Sequence, residues 1–168
     1  VAIKHIVGLL EPDSGTVRVD GLDVPTLPRK ELYALRARIG YVFQFAALFD
    51  SMTVAENIAM GLQRMGTMSE EAIDERVEES LRLVELEGYG PRMPSELSGG
   101  QRKRVALARA IALEPEIILY DEPTTGLDPI MSDVINELVI RTREQHKVTS
   151  IQVTHDMKTA TKVSDRIV

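Results

Sequence analysis

Between two polar flanks the chain runs Ile117-Ile118-Leu119-Tyr120 and then breaks into Asp121-Glu122-Pro123. Four consecutive apolar residues bounded by charge predict a strand buried on both faces, as in a parallel sheet covered by helices. Unpaired charge cannot stay inside such a sheet, so Asp121 and Glu122 are expected to emerge at its carboxyl end. Open α/β sheets bind their ligands at that edge.

The rest of the pattern builds around this strand. Ile3, Ile6, Val7 and Leu10 have helical spacing, and Glu11-Pro12-Asp13-Ser14-Gly15 ends that helix with turn chemistry. Thr16 to Gly21 alternates like a half-buried strand closing on the hairpin-type turn Asp20-Gly21. Pro28 to Arg38 reads as an amphipathic helix with Leu32 and Leu35 on one side, and Ile39 to Phe43 as a short strand ending in Gln44. From Phe45 to about Leu97 the pattern is helical: Thr53 and Glu56 have capping-box spacing for a helix through Met60, and Ser69 to Glu87 carries an Ile73, Val77, Leu81, Val84 stripe among carboxylates. Ser98-Gly99-Gly100-Gln101 opens a further helix, again with capping-box spacing, and Glu114-Pro115 closes it. Pro129 suits the first position of a helix burying Val134, Ile135, Leu138 and Val139, and Val148 to Thr154 is another apolar strand that ends in His155-Asp156. The succession from Ile117 to Thr154 predicts a parallel pair, which brings Asp121, Glu122 and His155 to one sheet edge. We expect an α/β core from residues 1–44 and 106–168, with a helical subdomain, 45–105, inserted between its strands.

Composition narrows the function. At 168 residues and 43% hydrophobic the chain can bury one real core. It contains no run of about 18 apolar residues that could span a membrane. The absence of cysteine excludes disulfides and thiolate-bound zinc and fits a reducing compartment. A net charge of −6 argues against a nucleic-acid partner, and Arg102-Lys103-Arg104 reads as a solvated helix face. The chain opens at Val1 inside a predicted helix and stops at Val168 in a strand-like run, so it is expected to be cut at both ends.

Each candidate group has an ordinary reading beside its chemical one. Asp121 and Glu122 could simply cap the next turn; in the chemical reading Asp121 holds Mg²⁺ through water and Glu122 orients or deprotonates an attacking water. Gln44 is either a loop glutamine or a neutral amide able to touch a metal or water. His155 is either a satisfied strand-end histidine or a donor to a phosphate oxygen. Capping accounts for Ser98 and Gln101. It does not account for Gly99 and Gly100, which weaken a first helical turn but leave backbone N–H groups open at a positive helix end, an arrangement suited to anions.

In this order the motifs resemble the ATP-binding subunit of ATP-binding-cassette (ABC) transporters. Phe43-Gln44 is similar to the Q-loop, Leu97 to Gln101 to the LSGGQ signature, and Ile117 to Glu122 to Walker B with its catalytic glutamate. Gly126-Leu127-Asp128 is similar to the D-loop and Thr154-His155-Asp156 to the switch-histidine loop. The resemblance covers nearly the whole chain. It implies a P-loop NTPase (RecA-like) parallel sheet with an inserted helical subdomain and part of an antiparallel β subdomain, binding ATP and Mg²⁺. Two such subunits would sandwich ATP, with Ser98 and Gly100 reaching the nucleotide of the other subunit and Asp128 contributing from the D-loop. Glu122 and His155 would be catalytic, and Gln44 with Asp121 would face the metal and γ-phosphate. A membrane permease would be the further partner, placing the protein on the cytoplasmic face of the inner membrane.

One departure stands out: no G-x-x-x-x-G-K-[ST] occurs in these residues. The resemblance places that phosphate loop immediately before Val1, and truncation there is expected rather than a degenerate cassette, because Glu122 and His155 are present. A narrower resemblance links Phe43 to Val54 and Met93 to Leu97 with the ATPases of Mla-type transporters, which work with MCE-domain proteins on phospholipids and related lipids. Small-solute importers share the same chemical motifs, as do soluble ABC ATPases of DNA repair and translation. The compact segment from Gln44 to Ser98 shows no sustained heptads, unlike the chromosome-maintenance type.

Overall fold

The computed structural model describes residues 1–168. Helix α1 (Ala2–Ile6) leads to an antiparallel hairpin of β1 (Arg18–Val19) and β2 (Leu22–Asp23), followed by α2 (Arg29–Ala37) and strand β3 (Ile39–Val42). Helices α3 (Val54–Met65), α4 (Glu70–Leu83) and α5 (Gly99–Ile111) come next, then β4 (Ile117–Asp121), α6 (Pro129–His146), β5 (Thr149–Val153) and α7 (Met157–Val163). Strands β3, β4 and β5 form a parallel sheet in that order. This is the α/β arrangement expected, with the hairpin as a separate antiparallel piece.

The register decides where the chemistry lies. Val42 pairs with Tyr120, and Asp121 pairs with Val153, so all three strands release their chains at one edge. Strand β4 lies between the other two and is buried on both faces. Ile118 and Tyr120 join a 26-residue cluster with α3 to α6, whereas Leu119 joins Ile3, Val7, Val24, Leu35 and Ile39 on the opposite side. These three strand residues are at most 1% exposed, and burial of Ile118 and Leu119 is worth about 1.5–3 kcal/mol each. The strand that ends in the carboxylates is therefore the best-anchored in the sheet.

The local signals explain most boundaries. Thr53 and Ser98 each form a full capping box, with Glu56 and Gln101 respectively. Asp20 and Gly21 both have positive φ, 49° and 79°, as a tight two-residue hairpin requires. Asn57, fully buried, fastens the loop before α3: its amide nitrogen donates to the carbonyls of Phe49, Met52 and Thr53, and its oxygen accepts from the Phe49 N–H. Helix α5 runs unbroken from the helical layer onto the sheet, packing on α3, α4, α6 and β3.

Several expectations need correction. The first helix stops at Ile6 rather than Leu10, because Gly8 turns left-handed (φ 63°) and Arg36 takes up the carbonyls of Val7 and Gly8. The strand predicted over Thr16 to Gly21 contracts to Arg18–Val19, and the helix predicted to end at Met60 continues to Met65. Val134 is only half-buried. Strand β5 pairs with β4 alone, and Ile151 is 41% exposed. The residues after α7 form no strand.

Gly40 permits the close approach of α5 to the sheet: a Cβ there would lie 3.1 Å from the Ala110 carbonyl oxygen and 3.1 Å from Pro115. Replacing Gly40 with Val should therefore destabilise the protein by about 1–3 kcal/mol through overpacking against backbone. A urea midpoint that falls with an unchanged m-value is the expected result; an unchanged midpoint would show that the layers can separate without cost.

Candidate functional site

Glu122 leaves β4 still attached to the sheet, its N–H donating to the Val153 carbonyl at 2.9 Å. Its backbone then turns left-handed, with φ 51°. A residue with a Cβ adopts that conformation at a cost of about 1–2 kcal/mol, so the surroundings must hold it there. The Thr125 N–H closes the turn onto the Glu122 carbonyl at 3.2 Å. On the side chain, Glu122 Oε2 accepts from Thr125 Oγ1 at 3.0 Å and from His155 Nδ1 at 2.9 Å. The acid and the imidazole expected at one edge are in direct contact.

Electrostatically the two groups support each other. Partial burial pushes the Glu122 carboxyl upward, but the hydrogen bonds from His155 and Thr125, joined by the His155 charge, outweigh it, so the net displacement from 4.5 is downward. His155 is raised above 6.5, first by its hydrogen bond to Glu122 and then by that carboxylate's charge, against a small opposing effect of desolvation. The imidazole is 76% exposed at the side chain and the carboxylate 18%, so one end of the pair opens to solvent. The charged pair therefore persists between the lowered Glu122 value and the raised His155 value. It weakens below that window, where the carboxylate protonates, and above it, where the imidazole loses its proton.

Asp121 occupies the last position of β4, half-buried, and its Oδ2 accepts from the Tyr41 hydroxyl of β3 at 3.2 Å. Burial, then the adjacent Asp121 charge and that hydrogen bond, push the Tyr41 phenol up, so it remains a proton donor across the physiological range. Tyr41 also stacks on Phe43, with ring centroids 4.2 Å apart. Gln44 follows β3 at the same edge and is half-buried. The loop beyond it carries Ala46 and Ala47, both left-handed, and Arg109 of α5 donates to their carbonyls at 2.8 and 2.7 Å. No group of three or more His, Cys, Asp or Glu side chains converges anywhere in the chain. The acid and amide oxygens of Asp121 and Gln44 are hard donors of the kind Mg²⁺ takes, and an ion there would need water or phosphate to complete its shell.

The Ser98 segment is built separately. Ser98 N–H donates to Gln101 Oε1 at 2.9 Å, Gln101 N–H donates to Ser98 Oγ at 3.3 Å, and Gln101 Nε2 donates to the Tyr89 hydroxyl at 3.2 Å. Gly99 is exposed, with ordinary space for a Cβ, whereas a Cβ on the buried Gly100 would fall 2.6 Å from Met131 Cε. That atom is the tip of a flexible side chain able to move aside, so packing within this chain demands glycine at neither position. Asp128 caps α6, its Oδ1 accepting from the N–H groups of Ile130 and Met131 at 3.0 Å. The structure gathers Asp121, Glu122 and His155, places Gln44 on their edge, and shows no hydrogen bond from Ser98 to Gln101 to any of them.

The basic run is the solvated face expected only at Arg102, which is exposed; Lys103 and Arg104 are half-buried. Arg102 donates to the Leu97 carbonyl, Arg104 to that of Val84, and Lys103 to that of Thr125, so all three tie α5 to neighbouring backbone. Tyr41, Thr125 and Arg109 were not singled out from the sequence, and Lys103 was read only as part of the basic run. Only Tyr41 left a trace there, as a polar tip two residues before Phe43 in a strand leading to the edge.

Comparison with known proteins agrees with this geometry. A profile described as ABC transporter matches residues 1–125. The probable ribonucleotide transport ATP-binding protein mkl of Mycobacterium leprae is 41% identical over 99% of the chain and 48% of its own length. The sulfate/thiosulfate import ATP-binding protein CysA of Caulobacter vibrioides is 48% identical over 98% of the chain and 48% of its own length. The intermembrane phospholipid transport system ATP-binding protein MlaF of Haemophilus influenzae is 42% identical over 97% of the chain and 62% of its length. The chain thus spans about half the length of most of these relatives. A solved ATP-binding cassette, a dimer in a post-hydrolysis state bound to ADP and Pi, superposes with a TM-score of 0.86 at 37% identity, covering 96% of this chain and 72% of that one.

The pairing of His155 with Glu122 has a direct test. Changing Glu122 to Gln removes the carboxylate charge, so the imidazole should titrate closer to 6.5. Histidine-ring NMR across pH 5 to 9 would show it, and a titration identical in both proteins would mean that the contact does not form in solution.

Proposed function

This chain belongs to the ABC transporter ATP-binding family, and on that premise we propose that the whole protein hydrolyses ATP to drive a membrane permease. The observation that carries the proposal is the left-handed Glu122, whose carboxylate is held by His155 and Thr125 at an edge shared with Asp121 and Gln44. In this reading Glu122 accepts the proton of an attacking water, its hydrogen bonds holding it ionised and oriented at some cost in basicity. His155 orients that carboxylate and presents its exposed face to the phosphate oxygens. Asp121 and Gln44 would hold Mg²⁺, largely through water, and the ion would supply positive charge to the γ-phosphate. Ser98 to Gln101, which make no hydrogen bond to Glu122, would serve the nucleotide of a second copy, with Asp128 at the same junction.

Cargo and location follow from the wider resemblance. The Phe43 to Val54 and Met93 to Leu97 segments, together with the similarity to a phospholipid-transport ATPase, support a lipid cargo, an MCE-domain partner and a place on the inner face of the inner membrane. Comparable identity to sulfate-import ATPases supports a small-solute importer as the second reading. Reconstitution with the cognate permease separates them: lipid movement supports the first, sulfate-dependent ATPase activity the second. No helix of the chain is long and apolar enough to cross a membrane.

In the whole protein, Glu122→Gln should lower turnover by about 10²–10⁴-fold while preserving ATP-driven association of two copies. Hydrolysis at the parental rate would remove Glu122 from the role of proton acceptor. The 168 residues alone, which contain no G-x-x-x-x-G-K-[ST], should bind Mg-ATP weakly and show no turnover. Measurable steady-state ATPase activity from that polypeptide would contradict this.

A further inference from the structure

Lys103 sits on α5 and forms no salt bridge, yet its ammonium group is half withdrawn from water. Its Nζ donates to the Thr125 carbonyl at 2.6 Å and lies 3.5 Å from the Glu122 carbonyl. These are the first and last carbonyls of the left-handed turn, and the Glu122 carbonyl already accepts from the Thr125 N–H. Burial lowers the lysine pKa, and the Glu122 charge only partly opposes that effect. Removing an ammonium from water is costly unless its protons find strong acceptors. Here the acceptors are the backbone of the segment that must hold Glu122 at φ 51°. With its flexible stem and multiple donors, a lysine is well suited to reach two neighbouring carbonyls from an adjoining helix.

We propose that Lys103 is a positioning residue for hydrolysis: by clamping the Glu122–Thr125 turn it fixes the carboxylate against His155 and ties the turn to the helix that begins at Ser98. The assignment rests on the ATPase reading of Glu122. Lys103 touches neither nucleotide nor water in this scheme. Its effect is on the geometry of the acid. Loss of the clamp frees the turn to relax out of its left-handed conformation, swinging the carboxylate away from both Thr125 Oγ1 and His155 Nδ1. A displacement of about 1 Å at a reacting group can cost on the order of 100-fold in rate.

The test uses the whole protein with Lys103→Met, which keeps the stem and removes the donors, and Lys103→Arg, which restores donors and charge. The methionine variant should lose about 10- to 100-fold in kcat with the KM for ATP unchanged, and arginine should recover much of that loss. The assignment is overturned if kcat is unchanged, if KM rises in step with the fall in kcat, or if arginine is as impaired as methionine. Should the methionine variant fail to accumulate, Lys103→Gln, with a neutral donor, gives the same comparison against arginine. Glu122→Gln in parallel separates the two claims. Full activity there removes the ATPase role of Glu122, whereas an inactive Glu122→Gln beside a normal Lys103→Met removes only the clamp.

Discussion

A residue with a side chain held left-handed at the end of a doubly buried strand is the constraint on which this structure depends. Glu122 cannot relax along the strand direction because Val153 still accepts its N–H, and the turn behind it is closed by Thr125. Its carboxylate is then delivered to His155, which leaves the neighbouring strand one residue beyond Thr154. The parallel register makes this delivery possible. Shifting β5 by a single residue would move His155 along the edge and reverse the faces of the strand.

Helix α5 connects the parts. Its amino end carries the Ser98–Gln101 capping box, Lys103 reaches the Glu122 turn, and Arg109 grips the left-handed loop after Gln44. Gly40 allows the helix to lie close against β3. Displacement of one segment is therefore felt by the others through a single rigid element. The small residues of α5, Ala106, Ala108 and Ala110, are all buried, so close packing rather than side-chain bulk holds it in place.

Much of this was legible from the residues. The Ile117 to Tyr120 run marked the central strand and its carboxylate end. Thr53 and Ser98 marked helix starts through reciprocal capping, and Asp20-Gly21 marked its hairpin. What escaped notice was conformation and long-range use of charge. Nothing in local pattern distinguishes the left-handed φ of Glu122, Ala46 or Ala47 from ordinary turns, because tertiary contacts impose it. Lys103 and Arg104 read as solvated because their acceptors are backbone carbonyls that local pattern does not reveal. The early stop of α1 at Ile6 goes with a left-handed Gly8, a residue tolerated within helices, and with Arg36 taking the Val7 and Gly8 carbonyls. The exposure of Ile151 is likewise something that apolar content does not reveal.

In the proposed enzyme each chain carries complementary halves of a site, a hydrolytic edge at Glu122 and a nucleotide-facing helix start at Ser98, meant for different nucleotides. Mixing two disabled forms of the whole protein tests that division most directly, one carrying Ser98→Arg and the other Glu122→Gln. Only a mixed pair places an intact Glu122 opposite an intact Ser98. Single-turnover ATP hydrolysis should therefore reappear in an equimolar mixture, though each form alone is inactive. A mixture as inactive as its components, with association of the two forms verified, would contradict a site shared between two copies.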